Sequence, residues 1–167
     1  HNNLGVTLQE LVRLDEAVTS YSQAIAWKPD YAEAHNNLGV TLQELGRLED
    51  AGASLRQAIV LKPDYTRALY NFGVTLKGLG RLDEAEASYT QAIALEPDFA
   101  EVHYNLGNTL QELGRLDEAE ASYKQAIVLK PDYSLAKHML AALTGETTAT
   151  APQNYVEGLF DSYAAKF

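Results

Sequence analysis

Four prolines, Pro29, Pro63, Pro97 and Pro131, stand 34 residues apart. The same interval separates Gly5, Gly39, Gly73 and Gly107, and again Ala24, Ala58, Ala92 and Ala126. A fixed repeat this short excludes most architectures. Each unit is too small to bury its own apolar faces, so it must stack on its neighbours and share a continuous core, which is the plan of a solenoid. Residues 32–65 form one complete unit, with near-copies before it and twice after it.

Inside a unit the apolar positions follow a helical period. Leu38, Leu42 and Leu45 fall at i, i+4, i+7, and Leu48, Ala51, Leu55, Ala58 and Ile59 mark a second segment. Each unit is therefore two amphipathic helices, here A and B. Gly46, Gly80 and Gly114 stand between them, where a left-handed residue ends helix A without a Cβ penalty. The first unit has Val12 there, which predicts local strain of about 1–2 kcal/mol if the geometry is kept. Helix B must stop before each Lys-Pro or Glu-Pro pair. Asp30, Asp64, Asp98 and Asp132 then follow as expected N-caps of the next helix A, with Asp30–Glu33 and Asp98–Glu101 spaced as capping boxes. The predicted helices run over 1–11, 14–28, 32–45, 48–61, 66–79, 82–95, 100–113, 116–129 and 134–144. Gly39, Ala51 and Ala58 lack bulk, so helices A and B of a unit can approach closely.

With Ala32 as unit position 1, recurring residues fill a recognisable set. They are Leu38, Gly39, Leu42, Ala51, Leu55, Ala58 and Pro63, then Phe72, Gly73, Leu76, Ala85, Tyr89, Ala92 and Pro97, then Leu106, Gly107, Leu110, Ala119, Tyr123, Ala126 and Pro131. This pattern resembles the tetratricopeptide repeat (TPR) family over roughly residues 1–143. One departure is position 4, usually Trp in the family and here His1, His35, Leu69 and His103. The resemblance implies an all-α fold, a right-handed superhelix of antiparallel helix pairs. The expected units are 1–31, 32–65, 66–99 and 100–133, with a half unit at 134–143 that would act as a lid over the last full pair. Residues 144–152 are polar and read as a linker. In 153–167, Val156, Leu159, Phe160, Tyr163 and Phe167 give one aromatic helical face.

Charge and composition narrow the partners. The chain carries a net charge of −10, which argues against a nucleic-acid backbone or an anionic membrane as partner, since both need clustered cations. It has no cysteine, hence no disulfide framework and no thiolate zinc site. No apolar run approaches the ~18 residues of a membrane span, and no signal peptide is visible. The expected compartment is cytoplasmic. The chain opens at unit position 4, which reads as a piece of a longer protein.

The leading functional signal is position 6, occupied by Asn3, Asn37, Asn71 and Asn105. Asparagine is a mediocre residue for a helix interior. Its amide offers both donor and acceptor, so a register of four can pair with the backbone of an extended peptide. The alternative is that these amides bond only within the helix layer or to water. In this respect the array resembles the TPR region of O-linked N-acetylglucosamine transferases, where an asparagine ladder grips substrate backbone. By the same family resemblance, the inner concave face would also include Gln43, Arg67, Tyr70, Lys77, Tyr104, Asn108 and Gln111, with Arg67 and Lys77 a cationic pair and the tyrosines as anchors. Its alternative is an ordinary solvated face. Chaperone-adaptor TPR domains grip a C-terminal carboxylate with lysines, and the first two units here have none on this face.

Other constellations point away from chemistry. His1, His35 and His103 occupy equivalent positions about two helix diameters of ~10 Å apart, too far to share a metal. Asp15–Glu16, Asp83–Glu84 and Asp117–Glu118 recur at the start of each helix B, where negative charge complements the helix dipole. No catalytic residue, metal site or cofactor is expected. The stretch 155–167 resembles the lead-in helix of S-adenosylmethionine-dependent methyltransferases that follow TPR arrays in some bacterial proteins. That implies a second reading, a substrate-recruiting arm whose catalytic domain is not in this chain. Helix 153–167 could instead cover the solenoid end, hang as a stub, or occupy a neighbour's groove, so self-association through it or through the solenoid ends is a third expectation.

Overall fold

The structure is a computed structural model that describes residues 1–10 and 13–145. Among these the chain is all-helical, with no strand. The helices are α1 (Asn2–Glu10), α2 (Leu14–Trp27), α3 (Ala32–Glu44), α4 (Leu48–Leu61), α5 (Thr66–Gly78), α6 (Leu82–Leu95), α7 (Ala100–Glu112), α8 (Leu116–Leu129) and α9 (Ser134–Thr144). Odd-numbered helices are A and even-numbered ones B. The predicted spans differ from these by one residue at most at either end. The chain forms two compact units, His1–Pro97 and Asp98 onward. In the first, each helix packs on its chain neighbours, and the A helices α1, α3 and α5 also touch one another in order. In the second, α7 packs on α8 and α8 on α9.

The turn from A to B is set by one glycine. Gly46, Gly80 and Gly114 have φ of 72°, 72° and 77°, with nothing within 4 Å of a Cβ built on them, so conformation and not space selects glycine. Each turn closes with paired bonds. Gly46 N–H donates to Gln43 O at 2.9 Å, and Arg47 N–H to Leu42 O at 2.8 Å. Gly80 and Arg81, then Gly114 and Arg115, repeat the pair, which is the double closure of a Schellman motif. Arg13 N–H makes the matching bond to Leu8 O at 2.8 Å. Val12 itself, and the strain expected there, lie outside the described residues. The arginine after each turn then pairs with the carboxylate three residues on, as in Arg81–Glu84 at 2.6 Å. These pairs are exposed, where solvent screening leaves them little weight in stability.

The aspartates do not cap the A helices. The N-caps are Tyr31, Tyr65, Phe99 and Tyr133, and none of them makes a side-chain cap bond. The Pro-Asp pair is spent on a turn closed by Tyr31 N–H to Lys28 O at 3.2 Å, which leaves Asp30 one residue too early to cap or to form a box with Glu33. The same turn holds Asp64, Asp98 and Asp132 out of place. The aromatic carbonyl starts the helix instead, accepting from Ala34 N at 3.0 Å. In three of the turns the lysine ammonium sits over the ring, at 5.3 Å for Lys28–Tyr31, 5.1 Å for Lys62–Tyr65 and 5.0 Å for Lys130–Tyr133.

The core of each helix pair is one large side chain of helix B set against a glycine of helix A. Tyr21, Leu55, Tyr89 and Tyr123 are fully buried. A Cβ on Gly5, Gly39, Gly73 or Gly107 would lie 2.5, 2.5, 2.5 or 2.6 Å from them, respectively. This close approach fixes how helix A crosses helix B, and so which positions of helix A face outward. At the end of the second unit, Met139, Leu140 and Leu143 of α9 pack on the cluster of Leu110, Ala119 and Tyr123. Gly145 closes α9 with φ 75°. The rest of the expected linker and the helix at 153–167 lie outside the described residues.

Candidate functional site

The asparagine register of the first unit is a relay of side chains. Asn71 Nδ2 on α5 donates to Asn36 Oδ1 on α3 at 3.0 Å, Asn36 Nδ2 donates to Asn37 Oδ1 at 3.2 Å, and Asn37 Nδ2 donates to Asn2 Oδ1 on α1 at 3.3 Å. The relay thus crosses all three A helices. It draws on position 5 as well as position 6, because Asn36 and Asn2 precede Asn37 and Asn3 in sequence. Asn36 is buried, Asn37 and Asn71 are half-buried, and Asn3 is exposed. Asn2 was not among the expected residues; its signal was unit position 5, which it shares with Asn36, Tyr70 and Tyr104.

Gln43 reaches across to the next A helix. Its Nε2 donates to Asn71 O at 2.9 Å and to Thr75 Oγ1 at 2.6 Å. Thr75 in turn donates to Asn71 O at 2.9 Å. The carboxamide therefore locks α3 to α5 beside the relay. Gln9, one unit earlier, donates to Glu44 Oε1 at 2.9 Å in a similar crossing. Tyr70 is half-buried, its ring centre 6.3 Å from that of Tyr89. Arg67 is exposed in the first turn of α5 and Lys77 half-buried in its last, so the expected cationic pair is spread along one helix by about 15 Å of rise.

In the second unit the same positions are used differently. Asn105 Nδ2 donates to Glu101 O of its own helix at 2.9 Å. The Tyr123 hydroxyl donates between Asn108 Oδ1 at 2.7 Å and Gln111 Oε1 at 2.8 Å. Burial pushes the Tyr123 phenol far above the ordinary tyrosine value, and the neighbouring Tyr104 adds to it. Tyr104 lies between two rings, 6.1 Å from Tyr123 and 5.1 Å from Tyr133. Asn108 and Gln111 thus hold a core phenol, and Tyr104 carries the aromatic surface.

Among the described residues no group of three histidines and carboxylates is placed to hold a metal. His35 Nε2 lies 3.0 Å from Pro29 O, which ties α3 to the loop before it. The A helices of the first unit offer amides, a phenol and two cations, and α7 of the second offers amides and a phenol, groups suited to hydrogen bonding and ring contact. No helix among the described residues is long and apolar enough to cross a membrane.

Three family models match the sequence. One described as "TPR repeat" covers residues 13–46, and two described as "Tetratricopeptide repeat" cover 30–96 and 70–134. A search of curated proteins finds no match. Among solved structures the chain is similar to the crystal structure of MamA, with TM-score 0.80, 26% identity and 85% of each chain covered. It is similar to a structure reported under the functional characterization of Pseudomonas aeruginosa pilF, with TM-score 0.79, 23% identity, and 85% of this chain and 65% of that one covered. It is also similar to the first TPR of Spaghetti (RPAP3) bound to HSP90 peptide SRMEEVD, with TM-score 0.67, 19% identity, and 68% and 90% of the two chains covered. The last two, at these identities, show the fold alone.

Proposed function

We propose, from the premise that this chain belongs to the tetratricopeptide repeat family, that it is an interaction scaffold taking an extended peptide on the face of its A helices. The family fold is typical of protein-interaction scaffolds, and the RPAP3 domain that shares it is reported with a bound peptide. The observation that carries the reading is the relay from Asn71 through Asn36 and Asn37 to Asn2. Each relay bond consumes one N–H of an amide that has two, and one of the two lone pairs of its acceptor. The amides are thereby held in register with valences to spare for a peptide backbone. Bonds to such pre-oriented groups cost little further ordering on binding. Asn3 and Asn105 hold the same unit position near the two ends of the sequence array, each within its own compact unit. Tyr70 and Tyr104 supply anchoring rings, and Arg67 and Lys77 favour an acidic residue in the peptide. Gln43, Asn108 and Gln111 support the face, Gln43 by joining α3 to α5 and the other two by holding Tyr123.

The matched family models are all repeat models. They lend no support to the resemblance of the ladder to O-linked N-acetylglucosamine transferases or to the methyltransferase reading of the C-terminal stretch, which lies outside the described residues. The reading as a scaffold assigns no chemistry, cofactor or nucleic acid to the chain. The test is a peptide selected from a random library on the full chain and titrated by calorimetry. Asn37→Ala, Asn71→Ala and Asn105→Ala combined should lower its affinity at least about tenfold, as expected for the loss of several modest hydrogen bonds. Unchanged affinity in the triple variant would sink the proposal.

A further inference from the structure

The B-helix side of the first unit carries a feature that the repeat does not. The Arg56 guanidinium on α4 lies 5.6 Å from the centre of the Phe72 ring on α5. A cleft opens on each side of this pair, and Arg56, Phe72 and Leu76 line both. One cleft, about 320 Å³, continues over Ile59, Val60 and Leu69. The other, about 230 Å³, continues over Gly52, Ala53 and Leu79. Carboxylates stand at their rims, Glu84 on the first and Glu49 on the second.

Comparison with the other units shows how this arises. The position of Arg56 holds Ser22, Thr90 and Lys124 elsewhere, and the position one turn before it holds Val18, Glu86 and Glu120. In α8 the cation is satisfied, with Lys124 Nζ 2.5 Å from Glu120 Oε1. In α4 the matching carboxylate is replaced by Gly52. That single change removes the partner of the cation and helps open the second cleft. The arginines at the A-to-B turns are each paired, Arg13 with Glu16, Arg47 with Asp50, Arg81 with Glu84 and Arg115 with Glu118. Arg56 has no carboxylate within ion-pair distance among the described residues. Glu84, at the rim, is engaged by Arg81 through both oxygens at 2.6 Å, and the Arg56 charge acts on it only from beyond ion-pair distance.

A guanidinium resting on an aromatic face keeps its N–H edges free for an in-plane carboxylate. On a chain of net charge −10, a cation with no carboxylate within ion-pair distance stands out as an attractor for an anionic group. The apolar walls on either side suit apolar side chains. We infer that this double cleft is a second docking site, separate from the A-helix face, for a peptide segment in which one carboxylate stands between two apolar side chains.

The probe is a pair of fluorescein-labelled decapeptides, one with a glutamate flanked by leucines and one with glutamine in its place, read by anisotropy on the full chain. The glutamate peptide should bind, its affinity should fall as salt is raised, and the glutamine peptide should bind at least about fivefold more weakly. Gly52→Glu returns to α4 the residue that α6 and α8 carry and should occupy Arg56 from within. It should weaken the glutamate peptide as much as Arg56→Ala does, with an unchanged circular dichroism spectrum. Asn37→Ala with Asn71→Ala should leave this binding intact, which separates it from the A-helix face. Equal binding of the two peptides, no binding of either, or indifference to Gly52→Glu and Arg56→Ala would overturn the inference. So would a dimer in sedimentation velocity that Gly52→Glu dissolves, since the cleft would then belong to a second copy of the chain.

Discussion

Asn71 gives a side-chain N–H to Asn36 Oδ1, 3.0 Å away on the preceding A helix. The two residues are 35 apart in sequence and sit at positions 6 and 5 of successive units. The bond is therefore a coupling between units. Asn71→Ala should lower the urea midpoint by the equivalent of about 1 kcal/mol, because it strands the half of the bond that stays buried on Asn36. Asn3→Ala, at an exposed site, should change it by less than about 0.5 kcal/mol. Urea unfolding followed by circular dichroism compares the two directly.

The glycines of helix A and the glycine of α4 should respond in opposite directions. At Gly73 an added Cβ would stand 2.5 Å from the buried Tyr89 ring, so Gly73→Ala should cost about 1–3 kcal/mol through overpacking. At Gly52 the nearest atoms are 3.7 and 3.9 Å away, ordinary contacts. Gly52→Ala should then stabilise the protein by up to about 1 kcal/mol through helix propensity. Thermal melts of the two variants must move apart; a drop for both would contradict the packing described.

Gly46 is selected by its backbone. With φ at 72°, Gly46→Ala should cost about 1 kcal/mol although nothing touches the added methyl. Gly46→Asn should recover part of the loss, since asparagine tolerates the left-handed region. Equal destabilisation by both in chemical denaturation would argue for a steric cause instead.

Tyr123 predicts an alkaline limit to stability. Its phenol is buried and its folded pKa is raised, so the folded state holds the proton where the unfolded chain releases it. Stability from this group is complete below the unfolded value of about 10 and is lost as pH rises beyond it. The melting temperature should fall with a steeper slope above pH 10 in the wild type than in Tyr123→Phe. In the folded protein the phenolate absorbance near 295 nm should show no difference between the two until unfolding begins.

Much of this could be read from a single line of letters because the repeat states each rule several times. Gly46, Gly80 and Gly114 marked the A-to-B turns, and the prolines marked the ends of helix B, since both act through the local backbone. The aspartates misled for an equally local reason. The sequence rule for a cap does not register that the Pro-Asp pair is already committed to a turn, which passes the start of the helix to Tyr31, Tyr65, Phe99 and Tyr133.

Side-chain roles on the A-helix face were less legible. Asn37 and Asn105 are identical in the repeat, yet one donates to the neighbouring helix and the other to its own backbone. The local sequence determined which segments are helical, where they turn and which positions recur, because backbone conformation and apolar period are set within a few residues. Only the tertiary structure decided which amides pair, that Asn108 and Gln111 serve Tyr123, and that Gly52 leaves Arg56 without a carboxylate over Phe72. Those outcomes depend on atoms brought within about 3–6 Å by helix packing, and a distance between residues far apart in sequence exists only once the helices have packed.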